Sequence, residues 1–134
     1  MKFLLDTNTL SELSKPVPYP GVLEWLELHE GDTAISAISV GEMALGIERM
    51  PDSKRRRSLE RAFGFLREDY VGKIIDFTEG VAVEWTRLVA TAQKQGHILS
   101  VLDSQIEATA IHFSLKVVTR NEKDFFYPVF NPWK

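Results

Sequence analysis

The sequence predicts one α/β domain built on a central, mainly parallel sheet of four to five strands. Two observations carry this. Short apolar, β-prone runs alternate with longer stretches of helical periodicity along the whole chain. Each run is separated from the next by enough residues for a crossover helix, which parallel pairing with right-handed connections requires. No repeat, low-complexity segment or linker divides residues 1–134, so a single domain is expected throughout.

The elements follow in order. Lys2 to Leu5 reads as the first strand, and the stretch from Thr7 to Ser14 as a short helix. Pro16, Pro18 and Pro20 form a loop that cannot continue it, because proline lacks the N–H and clashes with the preceding turn. Gly21 to His29 is helical and ends at Gly31, and Thr33 to Ile35 is the second strand. Ser39 opens the next helix, with Glu42 at capping-box spacing. Asp52 to Arg67 repeats Leu59, Ala62, Phe63 and Leu66 at helical intervals, and Lys73 to Phe77 is the third strand. Thr78 caps a long helix with Val81, Trp85, Leu88 and Val89 on one face, which stops at Gly96. Ser100 caps the last helix, through Ile106, Ala110 and Ile111. Leu115 to Thr119 is the fourth strand, and Val129-Phe130 is a candidate fifth.

Composition narrows the function. At 44% hydrophobic and 26% charged residues the chain is too apolar for disorder. No run of eighteen or more apolar residues exists to span a membrane, and the N-terminus has no signal-peptide pattern. The absence of cysteine removes disulfides, thiolate zinc sites and cysteine nucleophiles, and accords with a cytoplasmic location. A net charge of −3 gives no overall attraction for nucleic acid, so such a partner needs local positive patches or bound metal. The basic run Lys54-Arg55-Arg56-Arg57 reads as a solvated charged face.

The chemistry lies in "FLLDTNTLSEL", where an apolar strand runs into Asp6. In open α/β sheets, ligands bind beyond the carboxyl ends of the strands. Asp6 follows strand one, Glu42 begins the helix after strand two, Asp103 begins the helix opened by Ser100, and Asp124 follows strand four. Parallel strands bring all four to one edge. Two carboxylates ~4 Å apart repel by about 4 kcal/mol at an effective dielectric near 20, so a hard cation between them, Mg²⁺ or Mn²⁺, is the natural partner. The helix N-terminus is expected to favour the ionised forms of Glu42 and Asp103. Plainer readings stand beside this one. Glu42 and Asp103 each lie three residues after a serine and fit a capping box, Asp6 fits an N-cap, and Asp124 fits a turn.

Other chemistries find no support. His29, His97 and His112 lack zinc-ligand spacing, and neither a phosphate-binding glycine loop nor a G-x-S-x-G elbow is present. Four acids at a strand-end crevice also suit metal-ion catalysis better than two-carboxylate glycoside cleavage.

These stretches resemble the four motifs of the PIN-domain family, and within it the VapC-type toxins of toxin–antitoxin pairs. "LLDTN" carries Asp6, "SAISVGEMALG" carries Glu42, "SVLDSQIEATA" carries Asp103, and "VVTRNEKDF" carries Asn121 and Asp124. The ending "VFNPW" is similar to the FitB and plasmid-stability subgroup. The resemblance runs through nearly the whole chain in order, with all four acids present. It implies a three-layer α/β/α PIN-like domain and an endoribonuclease that uses Mg²⁺ or Mn²⁺ to hydrolyse single-stranded RNA. It further implies inhibition by a cognate VapB-like antitoxin, indirect contact with operator DNA through that antitoxin, a homodimer, and no membrane association.

In that reading Asp6, Asp103 and Asp124 hold one metal, and a second lies near Glu42. Thr7 and Asn8 orient Asp6 or the phosphate, Asn121 bonds a ligand carboxylate, and Arg120 and Lys123 flank the site. Trp25, the short helices and the proline-rich loop offer apolar surface for assembly. Two alternatives remain open: an antitoxin-bound, DNA-binding co-repressor subunit with little physiological cleavage, and a phosphatase-like hydrolase of small phosphomonoesters.

Overall fold

A computed structural model describes all 134 residues. Its sheet comprises β1 (Phe3–Leu5), β2 (Thr33–Ser36), β3 (Ile74–Ile75) and β4 (Lys116–Val118), in the order β3-β2-β1-β4 with every pair parallel. The helices are α1 (Thr7–Glu12), α2 (Pro20–Leu28), α3 (Ala37–Glu48), α4 (Lys54–Asp69), α5 (Glu79–Lys94) and α6 (Val101–His112), with a 3₁₀ turn over Glu122–Asp124.

The sheet register shows how the two faces are filled. Leu4 pairs with Ala34 and Val117, and these three point to one face, where Ile106, Ala110 and Phe125 cover them. Leu5 pairs with Ile35 and Val118 and points to the other face, under Leu10 with Trp25, Met43 and Leu66 around it. Alternate residues of a strand face opposite ways, so a strand of three apolar residues buried on both sides gives a three-layer α/β/α stack. A third cluster, Val81, Leu88 and Ala108, joins α5 to α6.

Several expected boundaries shift. The helix expected to open at Ser39 begins at Ala37, capped by Ser36, whose Oγ accepts from the Ile38 N–H at 3.0 Å. Ser39 and Glu42 therefore lie inside α3, and the capping-box reading of Glu42 is overturned. The third strand is two residues rather than five, because its neighbour β2 ends at Ser36, opposite Ile75, and Gly72 turns the chain beforehand with φ 80°. The fifth strand is a single parallel bridge from Phe130 to Val118. Pro128 and Pro132 flank it and have no N–H with which to extend a ladder.

Trp25 belongs to the chain's own packing. Its ring lies 4.9 Å from Phe3, 4.3 Å from His29 and 5.2 Å from Phe130, centroid to centroid. Trp25 is partly buried by these contacts and packs on the cluster around Leu5 and Leu10. The basic run at the start of α4 is equally local: Arg56 pairs with Glu48 and Glu60, and Arg57 with Asp52.

Candidate metal and substrate site

Asp6 is 2% exposed and caps α1. Its Oδ1 accepts the Thr9 N–H at 2.8 Å, and Thr9 Oγ1 lies 2.8 Å from the same oxygen and 2.9 Å from the Val118 carbonyl. Its Oδ2 accepts from Thr119 Oγ1 at 2.5 Å, and that hydroxyl in turn accepts the Asn121 N–H at 3.0 Å. One carboxylate is thus held by the helix that follows it and by the neighbouring strand. The N-cap reading of Asp6 is correct, and it is compatible with a ligand role because a carboxylate offers about four lone-pair directions.

Glu42 is half-buried, and its Oε1 accepts from Thr7 Oγ1 at 2.7 Å, with Ser39 Oγ 3.1 Å from the same hydroxyl. Thr7 therefore orients Glu42 rather than Asp6. Asp103, in the first turn of α6, accepts from Ser100 Oγ at 2.9 Å, while that Oγ lies 3.3 Å from the Asp103 N–H. Ser100 caps α6, but its backbone N–H is not the partner of the Asp103 carboxylate, so the box is half formed. Asp124 ends the 3₁₀ turn.

The electrostatics connect these acids. Burial pushes the Asp6 carboxyl above the usual range; bonds from Thr119 and Thr9 pull it back, and the charge of Asp103 adds to the rise. Asp103 is raised by burial and further by Asp124, against the pull of Ser100. Glu107, one turn along α6 and 2% exposed, is raised by burial, with a smaller contribution from Asp103. Its carboxylate accepts the Phe126 N–H at 2.9 Å and the Tyr127 N–H at 2.8 Å. The chain of coupling runs from Asp6 through Asp103 to Asp124, and none of these acids, nor Glu42, forms an ion pair with Lys, Arg or His.

Of the remaining expected residues, Asn8 is exposed on α1, and Arg120 is exposed with its guanidinium 5.9 Å from the Trp133 ring centroid. Asn121 acts through its backbone N–H on Thr119; its side chain bonds no acidic ligand. Thr9, Thr119, Ser39 and Glu107 were not anticipated. Thr9 carries a usable signal, three residues after an N-cap acid. Thr119 carries none, because only the β1–β4 register sets it beside Asp6.

The donor set fits a hard divalent cation in kind: oxygen ligands only, with burial raising Asp6 and Asp103 and no ion pair from a protein cation to any of them. The side chains stand apart as placed, since no three acidic or histidine side chains converge tightly enough to chelate an ion. A binding ion would draw them together and discharge their repulsion.

A parallel three-layer domain with buried acids at its strand ends is the class the fold and site define. The PIN-domain family model matches residues 3–128, and the chain belongs to the PIN-domain family. It is 37% identical to Toxin FitB of Neisseria gonorrhoeae, over 97% of each chain. It is 32% identical to VapC ribonuclease Y4jK of Sinorhizobium fredii, over 98% of this chain and 97% of that one. Among solved structures, that of FitAB bound to an IR36 DNA fragment superposes with a TM-score of 0.91 at 36% identity, covering 98% of this chain and 96% of that one.

Proposed function

We propose that this protein is the toxin of a toxin–antitoxin pair and acts as a metal-dependent endoribonuclease on single-stranded RNA. The observation that carries the proposal is the run of coupled acids, Asp6, Asp103 and Asp124, with no protein cation to balance them. Similarity to a toxin and to a VapC ribonuclease supports it.

Asp6, Asp103 and Asp124 would hold Mg²⁺ or Mn²⁺, and Glu42 a second ion. Bound there, the metal supplies polarisation of a phosphate oxygen and a water of lowered pKa. The protein's part is positioning. Thr9 and Thr119 fix both oxygens of Asp6, Thr7 fixes Glu42, and Glu107 ties the segment after Asp124 to the helix that bears Asp103. Asp6 and Glu42, held by these bonds, would give up little order on binding an ion, while the more open Asp103 and Asp124 would have to close on it.

An apolar groove of about 420 Å³ opens beside Thr7 and Glu42, lined by Leu10, Leu13, Met43, Ile47, Leu59 and Phe63. A contiguous apolar surface next to the acids gives an antitoxin helix a place to bind and block the site. The DNA in the FitAB structure supports an indirect role in operator binding for the pair.

Single-stranded RNA incubated with the purified chain should be cut with Mg²⁺ or Mn²⁺ and left intact in EDTA. Asp6→Asn and Asp103→Asn should each slow cleavage by about a hundredfold or more. Full activity in excess chelator, or only a twofold loss in both variants, refutes the metal mechanism. Expression of the protein alone should arrest growth and Asp6→Ala should abolish the arrest; no arrest by the parent would favour the co-repressor reading.

A further inference from the structure

A chain of net charge −3 whose site is itself acidic must hold a polyanion by some local cationic feature. In α4, Arg56 is paired with Glu48 and Glu60 and Arg57 with Asp52, which leaves Lys54 and Arg55 as that helix's unpaired N-terminal cations. A second cavity, of about 260 Å³, supplies an alternative. Asn8, Ser11 and Glu12 of α1, with Lys15 beyond its end, line it together with Arg120, Asn121 and Trp133. Trp133 is its one apolar wall. The cavity adjoins the acids through the chain itself: Asn8 lies two residues after Asp6, and the Asn121 N–H bonds the hydroxyl that holds Asp6.

Its walls are fixed by interactions that serve no other evident end. Glu12, 5% exposed and itself part of the lining, accepts Lys15 Nζ at 2.9 Å and the Tyr19 N–H at 3.0 Å. That holds Lys15 at the rim. The Lys15 bond keeps the Glu12 carboxyl below its usual range, with a smaller contribution from Arg120. The Trp133 N–H donates to Asn131 Oδ1 at 2.9 Å, while Asn131 Nδ2 donates to Glu122 Oε2 at 2.9 Å. Lys134 closes on the same Glu122 oxygen at 2.6 Å. The C-terminal residues are thereby tied back to the turn that follows β4, and Lys134 is neutralised. Arg120 forms no ion pair, and only the indole lies against it.

We propose that this cavity is a nucleotide subsite, in which a base of single-stranded RNA stacks on Trp133 while Arg120 holds the adjoining phosphate and Lys15 exchanges Glu12 for the next one. Asn8, Ser11 and Asn121 present amide and hydroxyl groups to the base edge or ribose. The aromatic wall requires an unstacked base, which excludes a duplex and selects a single strand. The volume is on the scale of one nucleotide, and the Asn8 and Asn121 walls join it to Asp6 through the chain and the Thr119 hydroxyl. This proposal rests on the ribonuclease reading and adds which residues grip the strand.

The test is anisotropy of a labelled single-stranded RNA hexamer with the full-length chain in EDTA, where cleavage cannot intrude. Trp133→Ala should weaken binding about tenfold, and Trp133→Phe, which keeps a stacking face, no more than about threefold. Arg120→Ala and Lys15→Ala should each weaken it by about three- to tenfold. Arg120 and Lys15 are exposed, so their variants carry the decision should Trp133→Ala lower the melting temperature. Unchanged binding in Trp133→Ala and Arg120→Ala, or no binding by the parent, overturns the subsite. A parent that cuts RNA with Mg²⁺ while these variants bind normally refutes the subsite and leaves the nuclease standing. Binding through the pocket without cleavage in either metal does the reverse.

Discussion

Asp6 does two jobs with one carboxylate: it caps α1, and it is held ready beside Asp103. Removing the group as Asp6→Ala deletes the cap and leaves the Thr119 hydroxyl without its acceptor, so urea unfolding should show a loss of about 2 kcal/mol or more. Asp103 behaves differently, because its bond to Ser100 survives in Asn while its charge is lost. In EDTA, Asp103→Asn should melt above the parent, since Asp6 and Asp124 lose a like-charged neighbour. The sign with pH follows from the raised carboxyl. A group whose folded pKa lies above its unfolded value contributes stability below the unfolded pKa and loses it as pH rises through the folded one. The advantage of Asp103→Asn should therefore be largest at neutral pH and vanish as pH falls through that range, where the parent's Asp103 is already neutral. Added Mg²⁺ should stabilise the parent and reverse the ranking. An Asn variant that melts lower in EDTA and gains as much from Mg²⁺ would return Asp103 to a simple cap.

The elements place what the residues use. Parallel β1 and β4 set Thr119 beside Asp6, and α6 carries Asp103 and Glu107 one turn apart on a single face. Glu107 is the fastening between that helix and the segment just beyond Asp124, through the Phe126 and Tyr127 N–H groups. Its loss as Glu107→Ala strands both donors, and urea unfolding should report a cost of about 2–4 kcal/mol. Glu107→Gln keeps an acceptor and removes a buried charge, so it should recover most of that loss. If metal-induced stabilisation falls in the Ala variant and returns in Gln, the fastening also positions Asp124. An Ala variant as stable as the parent, with unchanged metal response, would reduce Glu107 to a bystander.

Across the whole molecule the field is weakly negative, so under the proposed subsite the attraction for RNA should be short-ranged and centred on the pocket. Two cations, Lys15 and Arg120, line it. With two phosphates neutralised, the slope of log K for a single-stranded RNA against log salt should be about −1.4, and about −0.7 in Arg120→Ala. A steep slope would mean that the strand also crosses the basic stretch of α4. No helix is long and apolar enough to cross a membrane.

The local elements were legible in the sequence because their signals are local. Thr78 and Ser100 read correctly as caps, and the polar stop at Asp6 marked the end of the first strand. The four-motif resemblance announced the parallel fold and the acids Asp6, Glu42, Asp103 and Asp124 in order. What only tertiary structure decided was the partner of each polar group, because partners come from register and from packing between distant segments. Thr7 reaches Glu42 across 35 residues, and Thr119 reaches Asp6 across 113. The same holds for Ser39, which reads as a cap until the end of β2 moves that task to Ser36. Burial likewise raises the Asp103 carboxyl, an effect that only packing around the start of α6 creates. Periodicity and spacing determine where an acid lies along its element; the dielectric and the neighbours around it are set only when the chain closes.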